Sequence, residues 1–195
     1  MGRRFLTDLG RSPRPLFAAL VLLICFLPST SSGQWEVEGD APEEAPWRKT
    51  AGTFGAMLLV TPDAERFFAT VRNALERGEE PEVETTLRVR RGRSVSALIV
   101  ISRCAVDPDG NCDTTVDYRV VAPDGSEYAR FSEAEVWTGK PGPPAGVLQP
   151  GVTNLDLEIE PDDALGEYRV EAVVWDRVSG IRLALWSPLK VLPAE

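Results

Sequence analysis

The stretch that decides the fold is Leu155–Val191, LDLEIEPDDALGEYRVEAVVWDRVSGIRLALWSPLKV. It holds three segments that alternate apolar and polar residues, joined by two compact turns. Leu155, Leu157 and Ile159 fall on one side of the first segment and Asp156, Glu158 and Glu160 on the other, the period of two that a half-buried strand shows. In the second, Tyr168, Val170, Ala172 and Val174 share a side, and in the third Ile181, Leu183 and Leu185 do. One face of each strand is therefore buried and the other wet. The link Asp176–Gly180 is short and ends in a glycine suited to a left-handed turn, so the second and third strands are expected to pair as an antiparallel hairpin.

The other link carries Asp163, Gly166 and Tyr168 in the arrangement D-x-x-G-x-Y-x-V, behind an L-x-I strand. This resembles the corner before strand F of immunoglobulin-like domains, in which a tyrosine hydroxyl ties back to nearby backbone. The resemblance implies an immunoglobulin-like β-sandwich with Tyr168 as the corner tyrosine. It does not bring the antibody disulfide, because Val170 stands where the second cysteine would be.

Working outward, alternation recurs upstream. Val83, Thr85, Leu87 and Val89 alternate with charged neighbours, Arg91-Gly92 turns, and Ser94–Ser102 follows with the apolar core ALIVI, the pattern of a first hairpin. Thr114–Ala122 and Glu127–Trp137 flank a Pro123-Asp124-Gly125-Ser126 turn, and a Pro/Gly-rich connection fills 139–151. Before these, Phe54–Val60 is a short strand. Pro62-Asp63 opens a helix whose Phe67, Phe68, Val71 and Leu75 recur at helical spacing until Gly78 stops it. That stripe is expected to pack on the sandwich, a ligand or partner surface being the less common use of such a face. Seven to eight strands at roughly ten-residue spacing make a mainly β chain: a single immunoglobulin-like antiparallel β-sandwich over 81–193, with one short N-terminal helix and a strand in 53–80 packed on it.

The N-terminus reads differently. Arg3, Arg4, Arg11 and Arg14 precede the unbroken apolar run Leu16–Leu27, and Ser31-Ser32-Gly33 supplies small residues. That is the build of a signal peptide over 1–33, since the run is shorter than the roughly 20 residues a membrane-spanning helix needs. Residues 34–52 are rich in Pro, Glu and Gly, with Trp35 and Trp47 as the large apolar groups, and read as a linker. The expected product is periplasmic or secreted, with no membrane span after cleavage. Losing 1–33 removes four of the 21 Lys and Arg and one of the 30 Asp and Glu, leaving a net charge of −12. Nucleic acid and anionic membrane are poor partners for such a chain. An envelope or extracellular protein of unknown identity is the expected partner.

Over most of its length after the leader the chain also resembles an uncharacterised group of exported proteobacterial proteins. The residues that carry the likeness are Arg91-Gly92, Gly110-Asn111-Cys112, Pro123-Asp124-Gly125 and Asp163–Tyr168. The likeness implies export and the sandwich fold, and no activity.

The chain has no histidine, which excludes Ser-His-Asp and Cys-His catalysis, histidine zinc sites and histidine pH switches. Of its three cysteines Cys104 and Cys112 lie beyond the leader, and an even pair in an exported chain is expected to form a disulfide. Between them, Asp107, Asp109, Asn111 and Asp113 crowd oxygen side chains into one loop, which raises Ca²⁺ as the one conceivable cofactor. The spacing departs from an EF-hand, with glycine at the fourth position and no glutamate twelve residues from Asp107; a polar turn stapled by the cysteines is the commoner use of such residues. A second candidate is the segment Trp137–Pro150, in which Trp137 and Lys140 are placed to meet a partner. No catalytic residues emerge. The expected function is a binding or interaction module of the exported compartment; the alternative is a carboxylate- or Ca²⁺-dependent enzyme or accessory subunit of the envelope, which requires those acids to converge in a cleft.

Overall fold

The computed structural model describes residues 45–195. The leader over 1–33, and the linker as far as residue 44, lie outside the described residues. In chain order the elements are β1 (Arg48–Ala51), β2 (Phe54–Thr61), α1 (Ala64–Arg77), β3 (Arg88–Arg90), β4 (Arg93–Ser102), β5 (Asn111–Val121), β6 (Glu127–Pro141), β7 (Gln149–Ile159), β8 (Gly166–Asp176) and β9 (Ile181–Leu192). They form a four-stranded sheet ordered β1-β2-β4-β7 and a five-stranded sheet ordered β3-β9-β8-β5-β6. The inward faces meet in one core, where Phe54, Leu58, Ile99 and Ile159 of the first sheet join Tyr118, Val136, Tyr168 and Leu189 of the second. The described residues thus form a mainly β sandwich with one helix. Its strand order follows the immunoglobulin plan of two Greek-key sheets.

The alternating stretch behaves as its pattern dictates. Tyr168, Val170, Ala172 and Val174 are buried, and β8 pairs antiparallel with β9 from Gly166↔Val191 to Asp176↔Ile181. Gly180 takes the left-handed backbone (φ 74°) that closes the hairpin. The run ALIVI does not alternate because β4 is buried on both sides. Ala97, Ile99 and Ile101 face the core, while Leu98 and Val100 face α1. Asp63 caps the helix, its side chain accepting the Arg66 backbone N–H at 2.9 Å. Gly78, in the left-handed region, and Glu79 return their N–H groups to Leu75 and Ala74.

Three expectations need correction. Residues 82–90 do not form a hairpin with β4: only β3 is strand, and it pairs parallel with β9, while β4 lies between β2 and β7. The turn at Arg91-Gly92 carries the chain from one sheet to the other. The residues before β3 run beside α1, so Val83 packs on the helix layer and Leu87 is 54% exposed; alternation alone does not distinguish this from a strand. Secondly, β1 lies inside the stretch read as linker to residue 52. Its sequence RKTA is polar and short, and only its register with β2, Arg48↔Met57 to Ala51↔Phe54, makes it a strand. Thirdly, the Pro/Gly-rich connection contracts to 142–148, because β6 runs to Pro141 and β7 begins at Gln149. Both are edge strands in their sheets, where proline and bulges are tolerated.

Candidate functional site

α1 lies on the outer face of the four-stranded sheet and covers only part of it. Phe67 and Val71 bury themselves against Leu98 and Val100, with Met57, Leu59, Phe68, Val83 and Leu148 packed around them. Each such side chain contributes about 1.5–3 kcal/mol when fully buried. Toward the C-terminal end of the helix the layer is incomplete. A cavity of about 320 Å³ opens there, walled by Met57 and Leu59 of β2, Phe67, Val71 and Leu75 of α1, Val100 of β4, Pro81 and Val83 of the returning segment, and Val147, Leu148 and Pro150. Its one charged wall residue is Glu79, whose carboxylate is tied to Arg77 at 2.6 Å.

A second, more open depression of about 470 Å³ lies on the β7 side of the helix, between Phe68, Arg72, Leu75 and Glu76 and the residues Trp137, Gly151 and Val152. Val71, Leu75 and Pro150 border both. The two therefore form one apolar groove along the helix, with Leu75 45% and Val152 47% exposed. Mostly apolar walls and a volume of a few hundred Å³ are the usual attributes of a pocket that accepts an apolar group.

The acidic loop is organised differently. Asp107 Oδ1 accepts the backbone N–H groups of Asp109 and Asn111, both at 2.9 Å, and Asp113 Oδ1 accepts the Thr138 hydroxyl at 3.3 Å. These oxygens serve their own turn and strand pairing. Among the described residues no three of His, Cys, Asp or Glu are placed to hold a metal ion. Cys104 and Cys112 are joined in a disulfide across the loop. Next to it Asp176, fully buried, accepts the Ala105 N–H at 2.9 Å and the Ser179 hydroxyl at 2.7 Å, fastening the loop to the β8–β9 turn.

Trp137 and Lys140 lie in β6, not in a loop, and are engaged with their own strand. Trp137 Nε1 donates to the Pro141 carbonyl at 2.9 Å, and the Lys140 ammonium sits 5.5 Å from the Trp137 ring centroid while bonding Glu135. That hydrogen bond holds the Glu135 carboxyl below its ordinary range. Trp137 still borders the groove, whereas Lys140 does not line it.

At the corner, Tyr168 is buried and the Ala164 backbone faces its hydroxyl. The hydroxyl that ties strands together there belongs to Tyr128 of β6, which donates to Asp163 Oδ2 at 2.7 Å and lies 3.0 Å from the Glu158 carbonyl. The two tyrosine rings meet edge to face at 5.3 Å. Burial pushes both phenols above their ordinary pKa, with the Asp163 charge adding to it. Sequence reasoning named Asp163, Gly166 and Tyr168 and missed Tyr128, which lies in another strand. It also did not single out the groove walls Met57 of β2 or Leu148 and Pro150, the last two lying at the end of the candidate segment Trp137–Pro150. The one signal for them is the unbroken ALIVI run, which announces a strand covered on both faces.

Neither a protein-family model nor a curated protein sequence matches the chain. Solved structures that share part of its shape include the alkylpurine DNA glycosylase AlkC of Pseudomonas fluorescens bound to abasic-site DNA, at 18% identity and a TM-score of 0.36, over 54% of this chain and 27% of that one. A family 123 glycoside hydrolase from Clostridium perfringens matches at 13% identity and TM-score 0.37, over 73% of this chain and 28% of that one. A Niemann-Pick type C2 protein from the Japanese carpenter ant matches at 9% and 0.34, over 54% and 80%. The chain thus spans about a quarter of the glycosylase and of the hydrolase.

Proposed function

We propose that this chain is an exported interaction module that takes an apolar group of a protein partner into the groove beside α1. The observation that carries the reading is the groove itself: an opening of about 320 Å³ with apolar walls from β2, α1, β4 and the segments around Pro81 and Leu148, in which the one carboxylate is already paired. Burying an apolar group there gains about 0.8 kcal/mol per methylene, and the walls present no set of groups arranged for acid, base or nucleophilic work. The Cys104–Cys112 bridge supports an oxidising compartment, periplasmic or extracellular, in keeping with the leader-like N-terminus. Among the described residues no helix is long and apolar enough to cross a membrane.

Titration with the uncharged dye 1-N-phenylnaphthylamine tests the reading. Fluorescence is expected to rise saturably at one dye per chain. Leu148→Glu, which sets a charge in the groove wall, should weaken binding at least tenfold, and Phe131→Ser, an exposed apolar residue on β6, should leave it unchanged. Absence of saturable binding, or equal binding by Leu148→Glu, would remove the groove as a site.

A further inference from the structure

The groove wall formed by Val147 and Leu148 belongs to a connection whose ends are tied to the ends of the cysteine loop. β4 ends at Ser102 and β5 begins at Asn111, so residues 103–110 cross from the four-stranded sheet to the five-stranded one. Residues 142–148 cross back, from β6 to β7, at the same end of the sandwich. Where this return crossing leaves β6, Lys140 and Pro141 stand opposite Cys112 and Asn111. Where it joins β7, Gln149 and Pro150 stand opposite Ile101 and Val100, just before Cys104. The disulfide between Cys104 and Cys112 holds their Cα atoms 5.9 Å apart. It therefore closes a ring that runs from Cys104 into β4, across to β7, back along the return crossing to β6, and across to Cys112.

The two crossings also touch. The Gly142 N–H donates to the Gly110 carbonyl at 3.3 Å, and a Cβ on Gly142 would stand 2.8 Å from Val106 Cγ1 and 3.5 Å from Cys112 Sγ. Beyond that contact Pro143 and Pro144 have φ fixed by their rings, and the Val147 N–H returns to the Pro144 carbonyl at 3.1 Å. A shift at Gly142 is therefore carried toward Val147 and Leu148 rather than absorbed at the prolines. Leu148 packs against the cluster of Phe67, Val71, Leu98 and Val100, and both Val147 and Leu148 wall the cavity. Asp176, which accepts the Ala105 N–H at 2.9 Å, holds the cysteine loop to β8 independently of the bridge. Reduction would thus loosen the wall without releasing the whole loop.

We propose that the Cys104–Cys112 bridge positions the groove wall, so that the chain takes an apolar group with full affinity only once these two thiols have been oxidised. In the reduced chain the ends of the return crossing are held by strand pairing alone, and Val147 and Leu148 lose their fixed place opposite β2 and α1. Oxidation runs by thiol–disulfide exchange: two thiols give up two protons and two electrons to a disulfide oxidant, which leaves as a pair of thiols. Such oxidants act outside the cytoplasm, so binding competence is acquired there and not before. The inference rests on the groove being the binding site and adds the condition under which it forms.

Titration with 1-N-phenylnaphthylamine before and after reduction with dithiothreitol tests this, the thiol content being read by alkylation and intact mass. Loss of about one buried methylene contact at each of Val147 and Leu148 corresponds to roughly fourfold apiece. Reduction is therefore expected to weaken dye binding at least tenfold, and reoxidation with glutathione disulfide to restore it. Gly142→Ala keeps the bridge but forces the return crossing off Val106, and should weaken the dye at least threefold. Tyr128→Phe, which removes a hydrogen bond at the Asp163 corner, should bind the dye as the wild type does. Equal affinity of the folded reduced and oxidised forms overturns the inference, as does an equal loss in Tyr128→Phe, which would trace the effect to stability at large. Should near-ultraviolet circular dichroism show the reduced protein unfolded, Gly142→Ala decides, and wild-type affinity in that variant overturns the inference. Saturable binding that ignores the thiol state overturns it too and leaves the groove standing; absence of saturable binding by the oxidised protein removes both.

Discussion

Asp163 does three jobs at the corner between β7 and β8. Its carboxylate accepts the Glu160 N–H and the Tyr128 hydroxyl, both at 2.7 Å, and its carbonyl receives the Arg91 guanidinium. The corner is thus held by residues from β6, from the β3–β4 turn and from its own loop. Gly166 is required there, since its φ of 132° is one that side chains avoid and a Cβ would stand 3.2 Å from the Pro123 ring. Hydrogen bonds to charged groups are stronger than neutral ones, which ranks the two tyrosines. Tyr128→Phe is expected to cost about 1.5–3 kcal/mol and Tyr168→Phe about 0.5–1.5 kcal/mol. Denaturant midpoints of both variants check this. Loss at Tyr168 alone would return the corner to the simple one-tyrosine arrangement.

At the scale of elements, α1 decides whether the groove exists, and its ends are set by single residues. Asp63 supplies the cap, and Gly78 stops the helix so that Glu79 can turn back along it. Asp63→Ala should cost about 1 kcal/mol, the usual worth of such a cap. Because the helix is one wall of the groove, fraying it should also weaken dye binding. Thermal unfolding and the dye titration on the same variant test the two consequences together; a destabilised variant with undiminished dye affinity would show that the helix is not part of the site. On the opposite sheet Trp175 stands between the guanidiniums of Arg177 and Arg182, 4.4 and 4.1 Å from its ring centroid. That stack lines one side of a small depression of about 70 Å³, shared with Asp117 and Glu133, at the β8–β9 end.

For the molecule as a whole, the tyrosines give a pH signature. All three, Tyr118, Tyr128 and Tyr168, have their pKa raised by burial, with Asp163 contributing at the last two. The unfolded chain gives up these protons near the ordinary value of about 10 and the folded chain holds them higher. Above that pH the native state binds more protons than the unfolded one, and stability falls as pH rises. The contribution is fully present below about 10. Phenolate absorbance is expected to appear together with loss of near-ultraviolet circular dichroism, in one alkaline transition. Phenols that ionise near pH 10 in a still-folded protein would contradict the burial of these rings.

The sequence by itself determined what depends on neighbours along the chain. Period-two alternation set β7, β8 and β9 and their buried faces, Asp63 and Gly78 set the ends of α1, and Gly180 set a hairpin. The fold class follows from these, since half-buried strands with short links have few ways to cover their apolar faces. What only the tertiary structure decided depends on partners far away in sequence. β1 is strand solely because β2 offers it an edge, and residues 79–87 are a crossing rather than a strand because α1 and β9 take up their contacts. Tyr128 reaches Asp163 across 35 positions. The groove as a whole has no local signature: its walls come from β2, α1, β4 and the segments around Pro81 and Leu148, and the sequence marks only pieces of it, the helical stripe and the doubly buried run of β4. An incompletely covered sheet face is a property of how a helix is laid on it, and no window of sequence contains both.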